Sequence, residues 1–466
     1  MGLLSVFQSL MRPIFGSFET EEFKKFIRMG AVFAFIIGSY WALRPLKNSL
    51  FCQLIGAGHL PYAKTLSLIF LVPLLMFYSR LLDKKGKEKT FYLISTTYGL
   101  LSLVFAVIFA HTQNVFVCRT VGFSMTWHDT IALVVGYVFY VFVESYGSLL
   151  PALFWAIATD STSPESAKKG FSFVVAIGQF GGIIAPFLIT SSPEMLGFKT
   201  NALSFILVSI TIFAAMYLLK LFFTKTPPAL LASYHGSNEK EEEAEQEPGF
   251  LEGLKLLVTH KYLLAIFAVV SFPEVISTIF DVHFNSLASQ QYTGTALSTY
   301  LGYYGSSVNI IALLFLLCGI GNISRVLGVG VSLALMPIIY GFAVLGFISL
   351  NSLTFLFILM ASSKAINYAL NGPSIKQLYI PTTRDTRIKA QAWIESFGSR
   401  GAKETGAIIN MPLATMQKSM GAVAGRARHA MLSSYLMFGV VAIWFVIALY
   451  LGKKHKKALA EKRVVC

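Results

Sequence analysis

Stretches of about twenty predominantly apolar residues, the length that crosses ~30 Å of hydrocarbon as a helix, recur along this chain from end to end. They fall near 28–50, 63–81, 90–110, 130–158, 171–190, 200–223, 262–287, 296–319, 325–349, 352–379, 391–412 and 430–452. Backbone polar groups in lipid must be paired within their own segment, so such stretches can only be helices. Composition agrees: 55% of the 466 residues are hydrophobic, only 13% are charged, and the mean hydropathy is +0.65. A soluble chain of this length would need far more polar surface. The pattern predicts an all-α membrane protein of twelve transmembrane helices in contact with the bilayer.

The formal charge of +15 sits mostly in loops and tails. It reads as topology information and not as a nucleic-acid footprint. With both termini cytoplasmic, the inner segments hold Lys24, Lys25 and Arg28, then Arg80, Lys84, Lys85, Lys87 and Lys89, then Lys168 and Lys169. Arg325, Arg384, Arg387, Lys389 and the tail KKHKK also fall inside. The outer loops carry only Lys64, Arg119, Lys199 and a cluster at Lys418, Arg426 and Arg428, which is the exception to the rule. Such a protein is expected in a bacterial inner membrane. No cleavable leader is recognisable, and Cys52, Cys118, Cys318 and Cys466 have no metal-ligand spacing.

Residues 224–261, with the acidic run SNEKEEEAEQEPGF, read as a hydrophilic cytoplasmic linker between a half at 1–223 and a half at 262–452, followed by a basic tail at 453–466. Two weak internal matches support the halves. KNSL (47–50) ends the first span and FNSL (284–287) the seventh; AIATDSTSPESAKKGFSF after span four resembles YIPTTRDTRIKAQAWI after span ten. Their unequal offsets are reconciled by an extra outer loop, HTQNVFVCRTVGFSMTWHD, in the first half. A parallel six-plus-six repeat of this kind is the major-facilitator-like architecture.

Charges inside hydrocarbon usually face a wet cavity and mark a substrate or ion path. Here they are Arg44, Lys47, Lys364, Lys376, Arg400 and Lys403 against Glu144, Glu274, Asp281, Glu395 and Glu404. By analogy with six-plus-six transporters, spans 1, 4, 7 and 10 line the cavity, and most of these charges fall on them. The competing reading is a set of interhelical ion pairs that hold the bundle together; one residue can do both. In SYWALRPLKNSLF (39–51), Arg44 and Lys47 share a face with no acid within a turn, which favours an external anion. Arg400 and Glu404, four apart, are expected to neutralise each other. NYALNGPSIK places Asn371, Gly372 and Pro373 inside a span and is expected to break it, as at a binding site or a packing kink. Tyr40, Trp41, Tyr140, Tyr146, Trp155 and Tyr368 lie near the charges and offer stacking surfaces. His283 is a candidate coupling group. No P-loop, H-E-x-x-H or G-x-S-x-G occurs, so neither an enzyme activity nor a cofactor is expected.

These motifs resemble one family. YWALRPLKNSL is similar to the L-R-D-x-K-D-[ST]-L of the ATP/ADP translocases of obligate intracellular bacteria and plastids. FVESYGSLLPALFWAIATDSTSPESAKKGF, VVSFPEVISTIFDVHFNSL and NYALNGPSIKQLYIPTTRDTRIKAQAWIESFGSRGAKETGAII resemble its further conserved segments. The resemblance implies a monomeric nucleotide transporter for ATP, ADP or another nucleoside triphosphate. It carries transport roles onto Lys47, Glu144, Glu274 and Lys376. Pro45 and Asn48 replace two aspartates of the first motif, Ile375 stands where the third segment has its lysine, and His283 replaces a span-seven lysine. Candidate substrate contacts are therefore Arg44, Lys47, Glu144, Glu274, Lys376, Asn371, Tyr40 and Tyr140. Candidate coupling or gating residues are Asp281, His283, Arg400 and Lys403. Strict ATP-for-ADP exchange and proton-coupled import of nucleotides or another small organic anion are the two expectations at this point.

The acidic stretch 236–248 lacks aromatic residues and cannot bury enough apolar surface to order itself. Replacing it with a Gly/Ser linker of equal length should leave the uptake rate near wild type. A membrane-inserted but inactive variant would assign the linker a gating role instead.

Overall fold

In the computed structural model, residues 18–112, 126–231, 250–317, 328–349, 352–383, 391, 393–394, 398–461 and 465 are described. The linker run 236–248, Arg384, Arg387, Lys389 and Glu395 lie outside them, as do the side chains of Lys168 and Lys169. No strand occurs among the described residues. The helices are α1 (Thr20–Leu54), α2 (Leu60–Lys85), α3 (Lys87–Thr112), α4 (Trp127–Asp160), α5 (Pro164–Met195) and α6 (Ala202–Lys225). They continue with α7 (Phe250–Thr259), α8 (Lys261–Gln291), α9 (Gly294–Leu317), α10 (Val329–Ser349), α11 (Leu353–Ile366) and α12 (Gly372–Leu378). The last are α13 (Ser399–Asn410), α14 (Pro412–Met420) and α15 (Ala422–Ala460). Among the described residues, nine helical segments are long and apolar enough to cross a membrane. The other three expected spans fall on α9, on α11 with α12, and on α13 with α14, which are not among those nine.

The chain gathers into two compact units. The first comprises residues 1–55, 66–239 and 292–309, the second 56–65, 240–291 and 310–466. The start of α2 thus belongs with the second unit and the first turns of α9 with the first.

In the first unit, α1 lies against α5 so closely that a Cβ on Gly181 would overlap the Ala34 carbonyl. Lipid tails are as apolar as leucine, so helices associate in a membrane by close van der Waals approach, which small residues permit. Buried hydroxyls supply the polar cross-links: Ser102 donates to the Phe205 carbonyl and Ser209 to that of Gly99, each at 2.9 Å, tying α3 to α6. Phe105, Phe109, Phe139 and Phe205 stack between α3, α4 and α6. A capping box of Thr126 and Asp129 starts α4 and accounts for a fully buried aspartate. The first turns of α9 are held by Ser298 to Ser49 (2.8 Å) and by Thr299 to the Thr190 carbonyl (3.2 Å).

In the second unit, Asn410 of α13 donates to the Thr278 carbonyl of α8 at 3.3 Å. Trp444 of α15 packs edge-on to Tyr340 of α10 with centroids 5.3 Å apart. Arg426 resolves part of the misplaced basic cluster. It is buried and donates to the Gln290 side chain at the end of α8, so it acts as a structural tie and carries no topology signal. Lys418 and Arg428 are exposed.

The segment NYALNGPSIK does not break its helix, contrary to expectation. Pro373 has no N–H and its ring would crowd the Ala369 carbonyl in a regular α-helix. The chain answers with a π turn over Asn367–Asn371, in which the Gly372 N–H reaches the Asn367 carbonyl, and continues as α12.

Two glycine substitutions should have opposite signs. Gly181→Ala forces backbone apart at the α1–α5 contact and should destabilise by about 1–3 kcal/mol. Gly439→Ala, within α15 and with nothing near its Cβ position, should stabilise by about 0.5–1 kcal/mol. Thermal unfolding midpoints of the purified proteins check both.

Candidate functional site

On α1, Tyr40, Arg44 and Lys47 are spaced four and three apart and form one stripe; on α4, Tyr140, Glu144 and Gly147 do the same. The two stripes meet within the first unit. Gly147 lies directly under the Tyr40 ring, where any Cβ would collide with it. At the other end, the Lys47 ammonium pairs with the Glu144 carboxylate and sits 4.2 Å from the centre of the Tyr140 ring. The Arg44 guanidinium lies over Trp41 at 5.4 Å. Tyr140 and Tyr146 are fully buried, and Tyr146 donates to the Ile36 carbonyl of α1 at 3.3 Å.

The helical surface of α1 offers Lys47 no acid within a turn, as its sequence indicates, and α4 brings Glu144 across. The pair is lopsided: the Lys47 side chain is 5% exposed and that of Glu144 39% exposed. The cation is therefore enclosed by protein while its counter-ion stays accessible. Removing one partner of a buried pair costs about 3–5 kcal/mol, because the remaining charge has nowhere to go. The accessible partner is the one that an incoming anion can replace.

The second unit carries its own line of charges. Glu274, Thr278 and Asp281 share one face of α8, at spacings of four and three. Glu274 meets Lys403 of α13 at 3.7 Å. Asp281 meets Lys64, from the start of α2, at 3.0 Å, with both side chains largely buried. Glu404 accepts from the Thr65 hydroxyl. The roles of Lys64 and Thr65 were not visible in the sequence, where Lys64 counts as an outer-loop residue, because nothing local marks a residue that reaches the second unit.

Asn371 is buried in the π turn, donates to the Asn367 side chain at 2.9 Å, and leaves its own Oδ1 without a hydrogen-bond partner. Ile375 is buried, whereas Lys376 is exposed at the end of α12. His283 stands about 200° round α8 from Asp281 and does not join that face. It pairs with His429 of α15, Nε2 to Nδ1 at 2.9 Å, and His429 Nε2 contacts the Ile409 carbonyl at 2.9 Å. A carbonyl only accepts, so His429 carries its proton on Nε2 and His283 donates to His429 Nδ1.

The whole length of the chain can now be set beside known proteins. Residues 5–455 match the family model described as TLC ATP/ADP transporter. The chain belongs to the TLC ATP/ADP transporter family. Relatives in this family include ADP,ATP carrier protein 1 of Rickettsia typhi, 25% identical with 96% of each chain covered. ADP,ATP carrier protein 1 of Chlamydia trachomatis is 22% identical, covering 97% of this chain and 92% of the relative. Among solved structures, the nucleoside transporter NupG has a TM-score of 0.60 at 15% identity, covering 91% of this chain and 98% of that one. A bacterial homolog of the human lysosomal transporter Spinster has 0.58 at 14% identity, with 94% and 99% covered. The structural likenesses show the fold alone, which is all-helical, membrane-spanning and major-facilitator-like. TLC membership makes the protein a multi-pass nucleotide transporter of the ATP/ADP type and not an enzyme.

Lys47→Ala tests whether this enclosed cation holds substrate: charge-assisted hydrogen bonds from an ammonium to phosphate would be worth about 1.5–3 kcal/mol. Apparent affinity for nucleotide should fall at least about tenfold, with insertion intact. Uptake titrations in cells expressing comparable amounts of protein measure this. Wild-type affinity in the variant would remove Lys47 from the site.

Proposed function

We propose that the protein exchanges ATP for ADP by alternating access, as a monomer of twelve spans in two six-helix halves with both termini cytoplasmic in a bacterial inner membrane. The observation that carries the reading is the lopsided Lys47–Glu144 pair. Nucleotide phosphate enters from the water that reaches Glu144 and takes its place on Lys47, with Arg44 as a forked second donor. Tyr140 keeps the ammonium in place through its ring face, and Tyr40 offers a flat surface to the base. Lys376 and the open Oδ1 of Asn371 are the corresponding contacts in the second unit.

Asp281 with Lys64 and Lys403 with Glu274 are assigned to gating, each coupling a cation to α8 by a pair that a moving helix can break and re-form, and Glu274 keeps its role as a substrate contact by exchanging Lys403 for substrate. Arg400 stands one turn before Glu404 and serves the same line. His283 serves this motion by position, since its hydrogen bond through His429 to Ile409 joins α8 to α15 and to the end of α13.

Exchange follows from the energetics. Without phosphate, the transition would have to carry Lys47 and Arg44 through a closed state with their pairings disturbed, at a cost of several kcal/mol. Bound nucleotide cancels that cost. Efflux of preloaded labelled nucleotide should be slow into plain buffer and rise at least about tenfold when external ATP or ADP is supplied, with little response to a proton uncoupler. Equal efflux without external nucleotide, or uptake that collapses with the uncoupler, would assign the protein to proton-coupled import.

A further inference from the structure

Within the first unit, the end of α5 and the first turns of α9 enclose a cavity of about 440 Å³ far from the Lys47–Glu144 pair in sequence and in role. Its walls include Tyr292, Tyr300 and Tyr303, with Glu194 at the last turn of α5. Tyr292 and Tyr300 are stacked, with centroids 4.6 Å apart and planes 18° from parallel, and Phe187 stacks on Tyr303 at 5.4 Å. The aromatic surface is therefore held rigid. Tyrosines at span ends commonly form an interfacial belt with their hydroxyls among headgroups. Here three of them wall a cavity together with a carboxylate.

The polar groups towards α5 favour a cation. Ser191 donates to the Phe187 carbonyl at 2.6 Å and Thr299 to the Thr190 carbonyl at 3.2 Å, so both hydroxyl protons are committed and only oxygen lone pairs remain to offer. Glu194 adds a full negative charge, and the C-terminal end of α5 adds the negative pole of its dipole. Ring faces attract cations as well. On the opposite wall, Ala296 lies in the first turn of α9, where backbone N–H groups have no partner within the helix and favour an anion. The cavity is thus complementary to a zwitterion, with its cation towards α5 and its anion towards α9.

The surface below says what kind of zwitterion. Phe180, Ile184, Phe187 and Leu188 are all exposed and lie on one face of α5, leading along the helix to the cavity. An apolar exposed stripe that ends in a cavity for a paired ammonium and phosphate fits one class of molecule. We propose that this is a binding site for a phospholipid with a primary-ammonium headgroup, of the phosphatidylethanolamine type. The ammonium sits among Glu194, Ser191 and the tyrosine rings, the phosphate ester meets the start of α9, and an acyl chain follows the α5 stripe.

Native mass spectrometry of the full-length, delipidated protein titrated with dioleoyl phosphatidylethanolamine and dioleoyl phosphatidylglycerol tests this. The second lipid has the same phosphate and chains but no ammonium. Wild type should retain the ethanolamine lipid about fivefold more strongly, the size of one carboxylate–ammonium contact at a partly exposed site. Glu194→Gln should bring the two lipids level while leaving retention of the glycerol lipid unchanged, which also shows that the variant is folded. Tyr300→Leu should weaken the ethanolamine lipid selectively. Phosphorylethanolamine in large excess should not displace the lipid; displacement would show a site for a soluble amine and overturn the assignment. Equal retention by wild type, or a preference that survives Glu194→Gln, overturns it too.

Discussion

A lysine ammonium buried near the end of a membrane helix is the constraint around which the first unit is arranged. Lys47 is 5% exposed, and an unpaired ammonium there would cost more than most single helix contacts return. Everything near it reduces that cost. Glu144 supplies the countercharge, Tyr140 presents a ring face, and Gly147 lets α4 come close enough under Tyr40 for the two stripes to meet. The glycine contact between α1 and α5 then fixes α1 on its other side. A helix held this way on two sides can carry a charge that its own sequence does not neutralise.

The same physics shapes the second unit differently. Its acids lie in a row on α8, and each is met by a group from another element: Lys403 for Glu274, Lys64 for Asp281, with Thr65 meeting Glu404 close by. Two of those partners come from the start of α2, which belongs to the second unit although its sequence neighbours belong to the first. Ion pairs of this kind contribute little to net stability once desolvation is counted. Their value is in specificity of position, because only one placement of α2 satisfies both Lys64 and Thr65. The helix passes Pro373 by way of a π turn, and within that turn the side-chain Oδ1 of Asn371 has no hydrogen-bond partner. Local widening of this sort is common at functional sites.

The fold class was legible in the sequence because hydrocarbon imposes rules that act residue by residue, and the transported class was legible through the motifs shared with the family. Runs of apolar residues name helices, and a charge inside one names itself. Arg44, Lys47, Glu144, Glu274 and Asp281 could be picked out on that basis alone. What it could not show were the partners. Lys47 looked unpaired because pairing rules within a helix extend only three or four residues, while Glu144 is ninety-seven positions away. His283 looked like a neighbour of Asp281, yet two residues apart on a helix means opposite faces, and its partner His429 lies in the last long helix. Arg426 broke the positive-inside pattern until Gln290 gave it a structural task. The expected break at Asn371–Pro373 failed for a related reason: proline forbids one hydrogen-bond pattern but not the wider one that replaces it.

The departures from the family pattern now have a physical consequence. Where the first motif of the TLC family carries two aspartates beside its lysine, this chain has Pro45, which is buried, and Asn48. A cation flanked by its own acids is neutral as a unit and holds phosphate only by competing with them. Without those neighbours on α1, Lys47 is met by a carboxylate carried by a different helix, that of Glu144 on α4. Neutralisation is thereby moved from within α1 to the contact between α1 and α4. In the exchange proposed above, phosphate that displaces Glu144 would change not only the partner of Lys47 but also the force holding two helices together. Substrate occupancy and helix position would then be one equilibrium, and such coupling is the physical requirement for a carrier that moves only when loaded.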